Sequence, residues 1–301
     1  MRILITGATG LVGKKIVTLL LQKGIAVNYL TTSKSKIQNQ DNYHGFYWNP
    51  QQGIIDENCF LNVDVIVHLA GANISKRWTN AYKQELVESR VLSSNLIFKT
   101  LKDNPNQVKQ IISASGIAIY PNSDTTIYTE ESLEKEDSFL GNLVVKWEQS
   151  VDKFNMLNIK VCKIRTGIVL SKKGGALTEM LKPVKLGMGS AYGNGKQIMS
   201  WIHIDDLVGI YFIAIQNSLE GVYNAVATNP ISNKELIHTI AKILHKPLFL
   251  PAIPKFVFKL LLGEMHQLLF TNQKISNQKI VNAGYIFKYN FVDKALINLL
   301  K

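Results

Sequence analysis

The chain has 301 residues, 46% of them apolar and 19% charged, with a formal net charge of +12. That length buries a large core, and the balance excludes disordered and collagen-like classes. Two cysteines, Cys59 and Cys162, cannot build a disulfide framework, and no Cys-x-x-Cys pair offers a zinc or redox motif. The apolar stretch before Thr6 is too short for a secretory leader, and the longest apolar run, 207–215, is far below the roughly 20 residues that span a bilayer. A soluble, cytoplasmic protein is expected.

In chain order, Arg2–Thr6 reads as a short buried strand, followed directly by Gly7-Ala-Thr-Gly10-Leu-Val-Gly13. Residues 14–23 have helical period and stop at Gly24; 25–30 form a second strand and 63–69 a third. A long helix over 79–102 leads to a strand at 108–114, a polar loop at 120–138, a helix at 140–154 and a strand at 159–164. Strands alternating with helices of this length predict a doubly wound parallel α/β sheet of Rossmann type. Residues 1–166 form the expected dinucleotide domain. Residues 167–301 form a smaller α/β substrate lobe, with part of the chain at about 201–225 returning to the sheet.

The charge is unevenly placed. Residues 1–150 carry 15 basic and 14 acidic side chains, whereas 151–301 carry 19 basic and 8 acidic. Of the 34 basic residues only Arg2, Arg77, Arg90 and Arg165 are arginine. The lysines are scattered, and no helix-turn-helix, zinc or aromatic platform accompanies them, so a nucleic-acid partner is not expected. Lysine-biased composition accounts for most of the excess; Lys172, Lys173, Lys182, Lys185 and Lys196 stand where they could draw in an anionic cofactor or small acidic substrate.

The first glycine of the loop permits a tight turn, the second lets backbone approach a pyrophosphate, and the third lets helix and strand pack closely. Gly7, Thr9, Gly10, Leu11, Val12 and Gly13 are therefore the expected phosphate-binding residues. The following helix N-terminus favours the anion. About 20 residues on, where NAD sites place a carboxylate for the ribose 2′-hydroxyl, this chain has Leu30-Thr-Thr-Ser-Lys-Ser-Lys36. Hydroxyls and lysines suit a 2′-phosphate. NADP(H) is thus expected in preference to NAD(H), held by Thr32, Ser33 and Lys34.

Together with His68-Leu-Ala-Gly71, Ser113-Ala-Ser115 and Trp201-Ile-His-Ile-Asp205-Asp206, the loop resembles the extended, epimerase/dehydratase-like branch of the short-chain dehydrogenase/reductase superfamily. Ala72–Trp78, Glu88–Val91, Lys146–Glu148, Arg165–Leu170, Gly174–Leu177, Leu261–Met265 and Gly284-Tyr-x-Phe287 are similar, more narrowly, to a bacterial NAD-dependent epimerase-like family. That family has its own C-terminal segment and was historically mislabelled as a cell-division inhibitor. The resemblance implies that Leu69, Ala70 and Gly71 line the adenine–ribose side, and that Arg165 and Gly167 lie near the nicotinamide. Ser115 would be the catalytic hydrogen-bonding serine. It leaves His203 either a proton donor or a histidine that packs structurally.

Two departures stand out. The superfamily's Tyr-x-x-x-Lys proton relay, anchored on Glu148, falls on Leu140 and Val144, and neither can carry a proton. Tyr120 and Tyr128, in the preceding loop, are the nearby phenols; either could substitute in principle, but both are expected to be exposed loop tyrosines. Where nucleotide-sugar enzymes clamp a diphosphate with arginine, this chain has Met199. Asn73, Arg77, Trp78, Arg90, Trp201 and His203 are the candidate substrate-pocket residues. For Arg90 an ion pair with Glu85 or Glu88 is the competing role. No metal site is expected.

The resulting expectation is an NADP(H)-binding oxidoreductase or epimerase acting on a small substrate. The alternative is a catalytically silent NADP(H) sensor. A homodimer, if formed, is expected to pair through the 79–102 and 140–154 helices.

Overall fold

A computed structural model describes residues 1–301. Counting strands of three residues or more, the elements begin with β1 (Arg2–Thr6), α1 (Leu11–Gln22), β2 (Ala26–Thr31), β3 (Tyr43–Asn49) and β4 (Val65–His68). Next come α2 (Asn80–Asp103), β5 (Gln110–Gly116), α3 (Phe139–Asp152) and β6 (Lys160–Thr166). The second part holds β7 (Ile168–Leu170), α4 (Ala176–Lys185), β8 (Trp201–His203), α5 (Ile204–Gln216) and β9 (Gly221–Ala225). It ends with α6 (Asn233–Ile243), α7 (Lys255–Leu262), α8 (Gln278–Asn282) and α9 (Val292–Leu300).

The main sheet runs β9-β6-β5-β4-β1-β2-β3, every neighbour parallel, with short antiparallel strands at 39–40 and 54–55 against β3. The central strands β1, β2 and β4 are buried on both faces, which explains the apolar runs of β1 and β4. On one face α2 and α3 contribute Leu86, Ile97, Leu143 and Trp147 to a core; on the other, α1 and α5 contribute Ile16, Leu20, Ile210 and Ala214. Side chains fix the helix starts: Thr79 accepts from the Tyr82 N–H at α2, and Ser138 from the Gly141 N–H at α3. The strand order reverses between β1 and β4, so the crevice beyond their carboxyl ends is the natural ligand site.

β3 was not expected from the sequence. Its YHGFYWN composition lacks aliphatic alternation, and Gly45 is present because a Cβ there would strike the Tyr29 ring. In the second part, β9 joins the edge of the main sheet, whereas β8 pairs with β7 outside it. A third core gathers α4, α6 and α9 around Trp201. No helix is long and apolar enough to cross a membrane.

The tail is tied back by one buried carboxylate. Asp206, in the first turn of α5, accepts from Tyr285 Oη at 2.8 Å, Lys288 N at 2.8 Å and Tyr289 N at 3.0 Å.

Candidate functional site

The phosphate loop begins where β1 ends. Gly7 has φ +70°, and a Cβ there would press on the Leu69 backbone at 3.0 Å. A Cβ on Gly13 would overlap Gly7 O and lie 2.8 Å from Ala8 Cα, so only glycine lets α1 start this close to the turn. Gly10 caps α1 without any side-chain bond, which leaves first-turn N–H groups open to an anion. Leu11 and Val12 also pack against the third core, and Gly174 and Gly175 lie close to Leu11.

On the other side of the switch point, β4 ends at His68, which is fully buried. Thr6 Oγ1 accepts from the Leu69 and Ala70 N–H groups, both at 3.0 Å, so its own proton goes to His68 Nδ1 at 2.8 Å. The ring is therefore protonated on Nε2, facing Ser93 Oγ at 3.3 Å. Burial, then the Arg90 charge, push its pKa down to about 4. His68 is a neutral strut that shapes the 69–71 turn.

A cleft of about 490 Å³ opens beside these elements. Its wall takes in Gly7, Thr9, Ala70 and Gly71, and its far end Thr32, Ser33 and Lys36. No carboxylate stands at the end of β2. Lys34, the lysine expected there, instead lies over the Tyr47 ring at 5.1 Å. Lys36 takes its place, and Trp48, Asn49 and Gln51 close the rim. Trp48 and Asn49 end β3 and Gln51 follows it; they carry no motif that sequence could have shown.

The Ser115 region is a dense ion-pair network. Ser115 Oγ donates to Glu148 Oε1 at 2.6 Å. Arg165 grips the same carboxylate bidentately, Nε to Oε1 at 2.8 Å and Nη2 to Oε2 at 2.9 Å. Burial works to raise the Glu148 pKa, but Arg165, Ser115 and Lys163 outweigh it and hold the carboxyl below its ordinary value. Burial likewise disfavours the Arg165 cation, yet Glu148 overrides it and drives its pKa upward. Arg165 Nη1 also donates to Tyr120 Oη at 2.8 Å, and that hydroxyl donates to Asn224 Oδ1 at 2.8 Å. Tyr120 and Tyr128, expected to be exposed, are both buried and stacked at 5.4 Å, and burial raises the Tyr120 pKa. Leu140 and Val144 lie one turn apart on α3, buried in the apolar core. Gly116, rather than Ser115, faces Val144: its Cβ would lie 3.6 Å from Val144 Cγ2. Gly167 allows β6 to cross close to Ser200 and Val226.

The other candidates separate. Asn73 and Arg77 are exposed on the loop before α2, and Asn73 Oδ1 accepts from Ser75 N at 2.9 Å. Trp78 is buried edge-on to Phe139 at 5.4 Å, donating Nε1 to Ile74 O. Trp201 is fully buried in the third core, with Nε1 donating to Asn229 O. His203 is also fully buried: its Nδ1 accepts from Asp205 N at 3.0 Å, capping α5, and its ring lies 3.9 Å from that of Tyr289. Burial lowers its pKa against the pull of Asp205 and Asp206. Arg90 pairs with neither Glu85 nor Glu88; its guanidinium donates to Leu86 O and Ala72 O.

Comparison with known proteins agrees with the fold. Residues 3–226 match the NAD dependent epimerase/dehydratase family, and 253–299 match a domain of unknown function, DUF1731. An epimerase family protein of Staphylococcus epidermidis is 34% identical over 301 residues, covering 100% of this chain and 99% of that one. The chloroplastic SDR39U1 homologue of Arabidopsis thaliana is 34% identical, covering 98% and 86%. The crystal structure of human epimerase family protein SDR39U1 with NADPH superposes with TM-score 0.84 at 29% identity, covering 99% of each chain. From its phosphate loop to its C-terminal segment, this chain belongs to the NAD-dependent epimerase/dehydratase family.

Proposed function

We propose that this protein binds NADP(H) and acts as an oxidoreductase or epimerase on a small substrate, without the Tyr-x-x-x-Lys relay. The observation that carries the reading is the end of β2: Thr32, Ser33 and Lys36 line the cleft there, and the chain segment that follows β2 offers no carboxylate for a ribose 2′-hydroxyl. The related human structure with NADPH supports the same cofactor. The residues present fit the dinucleotide. Gly7–Gly13 would hold the pyrophosphate on the open N–H groups of α1, and Ala70 and Gly71 would flank the adenosine ribose. When bound, the nicotinamide supplies hydride transfer; the chain supplies orientation and a dry site. Ser115 is the proposed polar contact to the reacting oxygen, with its hydroxyl oriented by Glu148.

The second reading, an NADP(H) sensor that turns nothing over, draws on a different observation. Both relay positions are apolar and buried, and the Ser115 proton is already engaged with Glu148. Parallel NADPH and NADH titrations, followed by oxidation of bound NADPH against a panel of carbonyl compounds, decide the matter. We expect tighter NADPH binding, a loss of about tenfold for Lys36→Ala toward NADPH alone, and turnover abolished by Ser115→Ala. Tighter NADH binding overturns the cofactor reading. No turnover, with a partner protein that binds only one redox form, replaces the enzyme with the sensor.

A further inference from the structure

Arg90 presents an unbalanced charge. Its side chain is 9% exposed, yet no carboxylate pairs with it anywhere in the chain. Nη1 donates to Leu86 O at 2.8 Å and Nη2 to Ala72 O at 3.2 Å, both neutral acceptors, while Nε is buried with no partner at all. One face of the guanidinium lies 5.0 Å from the Trp147 ring centre. The other side meets Gly71: a Cβ there would come within 3.0 Å of Arg90 Cζ and 3.2 Å of Nε. The absence of a side chain at 71 thus leaves a thin backbone layer between the cation and the cleft, whose wall includes Gly71, Ala72, Ser89 and Ser93.

A buried guanidinium with two carbonyls and an aromatic face is only part of a binding site. Desolvating the cation costs more than neutral acceptors return, and folded chains normally satisfy it with an anion. The nearest titratable neighbours make matters worse or indifferent: His68 is held neutral, and Tyr82 is a phenol. The carboxylate on the cleft wall, Glu85, makes no bond to it.

We propose that Arg90 is one half of an oxyanion site whose other half arrives with the ligand, over Gly71. The cleft that Gly71 lines is also lined by Gly7 and Thr9 of the phosphate loop, so the oxyanion would share it with the α1 N-terminus. A phosphate oxygen of the dinucleotide and a carboxylate of the small substrate share this chemistry. The proposal rests on the dinucleotide reading above and gives it a ligand charge.

The test uses Arg90→Gln, with Arg90→Lys as the charge-retaining control, and reads affinity together with thermal stability. NADPH is titrated by fluorescence; sodium malonate, a small dicarboxylate, is then added to NADPH-saturated protein and the melting temperature followed. If the oxyanion belongs to the cofactor, Arg90→Gln weakens NADPH about tenfold to hundredfold, Arg90→Lys recovers part of it, and the ligand-free melting temperature does not fall. If it belongs to the substrate, NADPH affinity is unchanged but malonate stabilises wild type and not Arg90→Gln. A fall in ligand-free melting temperature with unchanged NADPH affinity, and no Arg90-dependent malonate effect, overturns the proposal and leaves Arg90 a structural tether. Failure of wild type itself to bind NADPH refutes the dinucleotide reading instead.

Discussion

Glu148→Gln isolates the most concentrated electrostatic element of the fold. The wild-type carboxylate receives Ser115 at 2.6 Å and Arg165 at 2.8 and 2.9 Å, with Lys163 Nζ 3.6 Å away. Glu148 and Arg165 are 7% and 8% exposed, so water screens little of this. Glutamine keeps the shape but removes the charge, and its NH₂ group meets a donor of Arg165 wherever the amide is turned. Arg165 is then left buried without its counter-charge, keeping Tyr120 Oη and a single bond to the amide oxygen. Breaking a buried pair from one side costs about 3–5 kcal/mol. At roughly 2 °C per kcal/mol for a chain of this size, the melting temperature should fall by about 6–10 °C. The double variant Glu148→Gln/Arg165→Met removes both charges and should recover most of the loss, because an apolar replacement of a buried pair is close to neutral. The pH dependence has a definite sign. The folded carboxyl titrates below its ordinary value, so the stabilisation is complete above the unfolded carboxyl's pKa and is lost as pH falls through the folded one. Wild type and Glu148→Gln should therefore converge in strongly acidic buffer. Chemical denaturation of the four members of the cycle measures this; a single-variant loss below about 1 kcal/mol, or strictly additive effects, would refute the account.

Other substitutions probe separate parts of the molecule. Gly13→Ala forces α1 away from Gly7 O, and isothermal titration should show NADPH binding reduced at least tenfold, because the N–H groups no longer meet the pyrophosphate. Unchanged affinity would mean that α1 does not hold the phosphates. Asp206→Asn cannot accept from Tyr285 Oη, Lys288 N and Tyr289 N as a carboxylate does, so limited proteolysis should release the tail beyond about residue 284 sooner than in wild type. His68 titrates near 4 when folded and near its ordinary value of 6.5 when unfolded. The unfolded chain therefore takes up the proton first, and stability should fall by about 3 kcal/mol between pH 6.5 and 4, then level off with respect to this group. A His68→Gln variant should lack that component of the decline.

The parts of the fold that sequence makes legible are those where one signal dominates. β1, α1, β2, β4, α2, β5, α3 and β6 lie within a few residues of expectation, because each is a buried strand or a helix with a clear stop. The glycine triplet could be read because its constraint is steric and local. β3 could not, since Tyr43-His-Gly-Phe-Tyr-Trp-Asn49 has neither an aliphatic run nor a two-residue alternation, and its rim residues are therefore invisible as well. Lys34 and Lys36 differ only in which way a three-residue helical turn aims them. The exposure expected of Tyr120 and Tyr128 failed for a longer-range reason: Arg165 and Asn224, 45 and 104 residues away from Tyr120, supply the buried partners that its hydroxyl needs. Arg90 is the converse case, since a helix rich in Glu neighbours looks paired until the rotamers are seen.

The tether at Asp206 also sets an order of events during synthesis. Its three partners lie 79 to 83 residues further along the chain. At about 5–20 residues per second, the ribosome needs roughly 4–16 s to deliver them after Asp206 itself is made. Once β9 is made the main sheet has all its strands, but Asp206 at the head of α5 still lacks its three partners. Nascent chains stalled between residues 225 and 285 should therefore hold a compact but unlatched sheet, and arrival of the tail completes it. The last tenth of the chain, remote from the phosphate loop in sequence, governs when the first two thirds become native.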